Sequence, residues 1–232
     1  MSLALIREVE NRCKASGSKH ELFTLDRKIE RVSRVKPSIL GYGHKGKCMS
    51  YLESKLELNC AVALEFDPTV EAYLTQPASF YIQVDGRKVR HTPDILVKFY
   101  ESDNAVSLMF IQVKPSSIAY SPEYQRKFLQ YRKFFNEELN MPYELMTEEA
   151  LGCKKTIANR QQLFHFLSES ISNDAKQSII TQLPESFTVA ELESVCKQSA
   201  KTDFFAWALI AHGHIKFDSS KLLTRQSIVS IA

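Results

Sequence analysis

Glycine and proline are scarce, at 7 and 8 of 232 residues, which excludes collagen-like repeats and Pro/Gly-rich disordered chains. Cysteine is scarcer still. Cys13, Cys48, Cys60, Cys153 and Cys196 are odd in number, widely spaced and form no CxxC pair. No zinc site, redox centre or disulfide framework is indicated, and all five are expected as reduced thiols. No apolar run approaches the roughly 18 residues that a membrane span needs. Arg7, Glu8 and Glu10 stand where a secretory leader would carry its apolar segment, so the expectation is a soluble cytoplasmic protein with no membrane partner. Excess charge of one sign is missing too: 30 Lys and Arg against 27 Asp and Glu leave +3, too little for a chain that grips nucleic acid strongly unaided.

What is present describes a folded chain, with 44% hydrophobic and 25% charged residues. Its length exceeds the usual single-domain size of roughly 100 to 150 residues, so a main domain and a smaller one are expected. Charge is concentrated locally. Lys19, Arg27, Lys28, Arg31, Arg34, Lys36, Lys45 and Lys47 stand against only Glu21, Asp26 and Glu30 in the same stretch. Charge alone fits a solvated basic loop and a phosphate-facing arm equally well; on the second reading Lys45 and Lys47 are DNA-binding candidates.

Leu3, Ile6, Val9 and Cys13 mark one face of an N-terminal helix. Ser50-Tyr51-Leu52-Glu53 has capping-box spacing and predicts a helix with Leu52, Leu56, Cys60, Ala63 and Leu64 inward, stopped near Phe66 by Asp67-Pro68. The period then changes. Phe80, Ile82 and Val84 alternate with polar residues, and Asp85-Gly86 predicts a hairpin into residues 87–91. The apolar-dense segments at 95–100 and 107–114 predict central strands covered on both faces. Residues 122–140 read as a long helix with Phe128, Tyr131, Phe135 and Leu139 inward, followed by a short strand at 143–146. The order predicts an α/β sandwich with a mixed sheet flanked by helices.

Beyond residue 159 the strand pattern gives way to short helices at 161–170, 174–182, 189–198 and 203–212. Thr188 to Glu191 forms a second capping box, and Gly213 ends the last helix. A terminal hairpin pairs 214–218 with 227–231. This predicts a small, mostly α, winged-helix-like domain over 166–232, after a main domain over 1–165.

Chemistry concentrates at two strand ends. Asp94 opens one strand after Pro93, and Gln112-Val113-Lys114 closes the next. Period-two alternation puts Gln112 and Lys114 on one face, and Asp94 joins them there if the strands are neighbours. An acid followed by an acid-x-lysine pair is the spacing of the PD-(D/E)xK nuclease core. In that chemistry oxygen ligands hold a hard divalent cation, the cation acidifies water and neutralises phosphate charge, and lysine orients or deprotonates the attacking water. Gln112 stands where an acid is usual, so a further carboxylate is wanted. Glu57 on the preceding helix is the best candidate, Glu53 being accounted for by the expected cap. The same pattern also fits a strand-edge charge pair beside an exposed helix carboxylate.

Resemblance decides between these readings. Ser54-Lys55-Leu56-Glu57-Leu58, Leu64-Glu65-Phe66-Asp67-Pro68-Thr69-Val70 with Gln76-Pro77, Thr92-Pro93-Asp94-Ile95-Leu96-Val97 and Ile111-Gln112-Val113-Lys114-Pro115 resemble successive blocks of the TnsA family, endonuclease subunits of Tn-seven-class transposons. Val195 to Gln198 and Gly213 to Phe217 resemble blocks of that family's C-terminal domain. The resemblance implies a restriction-endonuclease-like fold and a bacterial cytoplasmic protein. It implies a metal-dependent endonuclease that cuts the 5′ ends of the transposon beside a TnsB-type DDE transposase, under a TnsC-type AAA ATPase. It places Glu57, Asp94, Gln112 and Lys114 on catalytic positions, with two Mg2+ ions, for which Mn2+ can substitute, and the Val113 carbonyl as an extra ligand. The glutamine at 112 is itself a feature of that family.

Other residues carry less. His91, three before Asp94, is a third DNA-binding candidate, though a histidine there also fits a hydrogen-bonded surface role. Trp207, with Phe204, Phe205, Leu209 and Ile210, reads as core. Two rival functions remain: a stand-alone PD-(D/E)xK repair or restriction nuclease, and a nuclease-like fold kept as an adaptor.

Overall fold

The apolar-dense segments become the centre of a sheet, as dense runs covered on both faces must. The computed structural model describes residues 2–15, 39–46, 48–100, 108–200 and 202–232. It divides into two units, Met1–Ala150 and Leu151–Ala232.

In the first unit, helix α1 (Ser2–Ala15) is followed by a hairpin of β1 (Ile39–Gly43) and β2 (Cys48–Leu52), helix α2 (Lys55–Phe66) and strand β3 (Val70–Thr75). The hairpin β4 (Phe80–Val84) and β5 (Arg87–His91) comes next, then β6 (Ile95–Phe99) and β7 (Leu108–Val113). Helices α3 (Ser116–Ala119) and α4 (Pro122–Lys133), with a π-helical turn Phe134–Glu138, lead to β8 (Tyr143–Met146). Four strands form a sheet in the order β3-β6-β7-β8. β6 is antiparallel to β3 and β7, whereas β8 is parallel to β7 and is reached over the crossover helices, as a parallel neighbour requires. This is a mixed α/β arrangement that fits a restriction-endonuclease-like fold.

Ile95, Leu96, Val97, Leu108 and Phe110 are fully buried in that sheet. Beside it a ring cluster fixes one end of the core: Phe80 meets Phe110 at 5.6 Å and Phe135 at 4.9 Å, both edge-on, and Phe135 stacks on Tyr143 at 4.6 Å. Such pairs add about 0.5–1.5 kcal/mol each beyond burial. The Asp85-Gly86 turn has both residues at positive φ, +51° and +76°, the geometry that matches strand twist.

Two expectations shift, and strand β3 carried none. The helix after β2 starts four residues late: Ser50 is paired with Gly41 inside the β1–β2 hairpin, and the cap is Ser54, whose Oγ accepts from the Glu57 amide at 3.1 Å. The sequence carries two consecutive Ser-x-x-Glu boxes, and strand pairing removes the first from contention. Strand β3 has no clean alternation because a bulge between Val70 and Ala72 buries residues 70, 72, 73 and 75. Residues 122–140 contain the π-helical turn, which places Asn136 to accept from the Tyr143 amide at 3.0 Å.

The second unit contains α5 (Lys154–Phe164), a 3-10 turn (His165–Ser168), α6 (Asn173–Ile180), β9 (Ser186–Thr188), α7 (Val189–Ala200), α8 (Phe204–Ala211), β10 (Ile215–Phe217) and β11 (Ile228–Ile231). Its strands form an antiparallel sheet, β10-β11-β9. The unit starts about fifteen residues before the expected boundary at 165/166, since α5 belongs to it. Buried Asn159 donates to the Ser219 and Lys221 carbonyls at 3.3 and 2.8 Å and accepts from the Leu223 amide at 2.8 Å. The expected capping box forms, with Thr188 N donating to Glu191 Oε2 at 2.7 Å and Glu191 N to Thr188 Oγ1 at 3.2 Å. Residues Ala206 and Ala208 to Ala211 of α8 are buried. No helix among the described residues is long and apolar enough to cross a membrane.

Candidate active site

Side chains alternate along β7 and its continuation, so Phe110, Gln112 and Lys114 share one face. That face runs from core to solvent: Phe110 is fully buried, Gln112 is 3% exposed and the Lys114 side chain 33%. Asp94 precedes β6 by one residue and already holds its ladder position, with its amide donating to the Ile111 carbonyl at 3.1 Å. The two strand ends are therefore neighbours. Asp94 Oδ2 accepts from the Val113 amide at 2.7 Å and, in a closer contact, from Gln112 Nε2, while Lys114 Nζ lies 3.7 Å away.

Desolvation pushes the Asp94 carboxyl up to about 6; Lys114 and the Val113 amide pull it down, and the charges of Glu57 and Glu53 push it further up. Burial dominates because the side chain is only 14% exposed.

Glu57, 7% exposed, does lie within electrostatic reach of Asp94. It also has the local role that the expected cap gave to Glu53. Its Oε2 accepts from the Glu53 amide at 2.7 Å and its Oε1 from Ser54 Oγ at 2.9 Å. The Glu53 carboxylate instead accepts from Gln76 Nε2 at 3.3 Å. Gln76 takes positive φ, +46°, and donates its amide to the Asp94 carbonyl at 2.7 Å, so the turn shaped by Gln76-Pro77 backs the site.

The three DNA-binding candidates fare differently. Lys47 lies outside the described residues. The Lys45 ammonium folds back onto the end of α2, donating to the Leu64 carbonyl at 3.1 Å and to the Asp67 carbonyl, and burial lowers its pKa. It caps a helix C-terminus and is half-buried there. His91 stacks face to face on Tyr131 at 4.0 Å and 9°, with Nε2 2.8 Å from the Tyr143 hydroxyl. Burial first, and Lys114 second, pull its pKa down to about 3, so it is uncharged near neutrality. Exposed cations sit instead on β5, where Arg87, Lys88 and Arg90 face water just before His91.

Sequence reasoning also missed Tyr143. This fully buried tyrosine donates to Gln112 Oε1 at 2.8 Å. A buried phenol wants a partner, but its position 31 residues beyond Gln112 hides which one.

Among the described residues, no group of three or more His, Cys, Asp or Glu side chains is arranged to hold a metal ion. The oxygen donors here are the Asp94 carboxylate, the Glu57 carboxylate within its electrostatic reach, and the Gln112 amide oxygen, which faces Tyr143 while the amino end faces Asp94. Hard oxygen donors suit magnesium or manganese, and two carboxylates supply charge for such a cation to balance. The residues fit a divalent cation.

Residues 67–148 match the family model described as the TnsA-like endonuclease N-terminal domain. The match spans His91, Asp94, Gln112, Val113, Lys114 and Tyr143, and stops short of Glu53 and Glu57. A search of curated proteins finds no match for the chain.

Proposed function

From a chain that carries a TnsA-like endonuclease domain, we propose a metal-dependent DNA endonuclease subunit of a heteromeric transposase that hydrolyses the phosphodiester at the 5′ ends of a transposon. The observation that carries this reading is the convergence of Asp94, Gln112 and Lys114 at the neighbouring ends of two central strands. Asp94, Glu57 and the Gln112 amide oxygen would hold magnesium, with the Val113 carbonyl as a further ligand. The bound cation supplies Lewis acidity toward the scissile phosphate. Lys114, the most exposed of the trio, reaches solvent from beside Asp94 and orients the attacking water. The Val113 amide holds the Asp94 carboxylate in place, so its position does not depend on the cation.

The second unit supports a partner role. Its order, α6-β9-α7-α8-β10-β11, supports reading it as a winged-helix-like domain. The helix in the recognition position, α8, has no Arg, Lys, Asn or Gln, the side chains that read base edges. Most of α8 is buried, so we assign docking on the TnsB-type transposase or TnsC-type ATPase to the unit as a whole.

The test is strand-specific cleavage of a transposon-end duplex. Cutting of the 5′ end is expected only with divalent cation and the partner transposase together. Efficient cutting of unrelated duplex by the chain alone would favour a stand-alone nuclease, and no cutting under any combination would sink the reading.

A further inference from the structure

Gln112 is the one proposed ligand whose two ends are chemically opposite. Its amide oxygen can face a cation; its amino group cannot. In the structure the amino end points at Asp94 and the oxygen end at Tyr143. Without a cation this is the favourable arrangement, because N–H groups meet a carboxylate. It is the wrong one for ligation.

The hydrogen-bond chain beyond Gln112 determines whether the amide can turn. Tyr143 is fully buried, and its hydroxyl lies 2.8 Å from both Gln112 Oε1 and His91 Nε2. A hydroxyl has one proton to donate. While Tyr143 donates it to Gln112, His91 must donate from Nε2. If Gln112 turns over, its amino group donates to the Tyr143 oxygen, the hydroxyl proton points to His91, and His91 Nε2 must accept. The imidazole then carries its proton on Nδ1. Its charge is unchanged; one proton leaves Nε2 and one arrives at Nδ1 by exchange with water. Both settings pair Gln112, Tyr143 and His91 with one another, the reversed one turning the amide oxygen toward Asp94 where a cation sits between them, and a half-turned setting leaves a buried polar group unpaired. The chain therefore has two positions. Tyr131, stacked on His91, keeps the ring in place for either.

We propose that Tyr143 and His91 are positioning residues that act through Gln112, holding its amide in one of two orientations and presenting its oxygen to the divalent cation when the chain reverses. The proposal rests on the metal-dependent reading above, and deepens it by naming what orients the unusual amide ligand. Outer partners of metal ligands typically influence affinity about 10- to 100-fold.

The experiment uses the full chain, with magnesium titrated by calorimetry and the His91 ring nitrogens followed by 15N NMR. On magnesium addition to the wild type, His91 is expected to pass from the Nε2–H to the Nδ1–H tautomer. Tyr143→Phe should weaken magnesium about tenfold or more and abolish the tautomer response. Gln112→Glu replaces the amide by a carboxylate with two equivalent oxygens, so Tyr143→Phe in that background should change affinity by about twofold or less. An equal loss in both backgrounds would show a merely structural hydroxyl and overturn the inference. Unchanged affinity and an unresponsive His91 in an otherwise magnesium-binding wild type would overturn it and leave the metal reading standing. A wild type that binds no divalent cation overturns both.

Discussion

Glu57 Oε2 accepts from the Glu53 amide at 2.7 Å, while Ser54 Oγ accepts from the Glu57 amide and caps the same helix turn. One carboxylate thus has two duties, helix start and proposed metal ligand, and substitutions can separate them. A glutamine keeps the capping geometry and loses the charge. Glu57→Gln should melt near wild type and lose 5′ cleavage. Ser54→Ala should cost about 1 kcal/mol of stability and weaken cleavage only partly. Equal melting losses in both variants, read by urea titration, would mean that Glu57 is held by something other than the cap.

Asp94 gives a pH dependence with a definite sign. Its folded value of about 6 is above the ordinary carboxylate value. Between the two, the folded protein holds a proton that the unfolded chain has released, so metal-free stability rises as pH falls from 7 toward 5 and declines as pH rises through about 6. Asp94→Asn should therefore stabilise the metal-free protein at pH 7, on the order of 2 to 3 kcal/mol, and by about half as much at pH 5. Magnesium affinity should drop below pH 6 as protons compete. Urea melts in chelator at both pH values check the first claim; destabilisation by Asp94→Asn at pH 7 would refute it.

DNA affinity should follow the cations on β5. Arg87, Lys88 and Arg90 are exposed, and Lys88 lies 4.7 Å over the Tyr81 ring. Removing one cation that neutralises a phosphate lowers the slope of log affinity against log salt by about 1. Replacing all three by alanine should flatten the slope by about 3, whereas Lys45→Ala should leave the slope alone and lower stability. Fluorescence anisotropy across a salt series distinguishes the two.

Glu193 is the buried tie of the second unit. It is 8% exposed and accepts from Trp207 Nε1 at 2.9 Å and Arg225 Nε at 2.6 Å. Glu193→Ala leaves the indole donor unpaired and should destabilise by about 1–3 kcal/mol; Arg225→Ala, exposed on its far side, should cost less. A larger loss for Arg225→Ala in thermal melts would reverse that ranking.

The strand ends that carry Asp94, Gln112 and Lys114 were legible because period-two alternation and a Pro-Asp start are local signals. The hairpin at Asp85-Gly86 and the capping box at Thr188 were legible for the same reason. Strand β3 was not, because its bulge breaks the alternation. The helix start moved since Ser50 and Ser54 offer equivalent boxes, and only pairing with Gly41 decides between them. Tyr143 and the burial of His91 depend on contacts 31 and 52 residues apart, which no local pattern encodes. Lys45 looked like a phosphate contact because charge in sequence does not reveal that a helix end lies within reach.

The parallel pairing of β7 with β8 sets an order of assembly. β6 and β7 are antiparallel neighbours, so Asp94, Gln112 and Lys114 can meet as soon as those two strands pair. Tyr143 must wait for the crossover through α3 and α4, a longer loop whose closure is entropically slower. A chain emerging from the ribosome thus gathers Asp94, Gln112 and Lys114, with His91 already made, before it owns the phenol behind them. Chain truncated before β8 would hold the reactive groups without the device that aims the amide, and the last strand of the sheet to join would be the one that brings it.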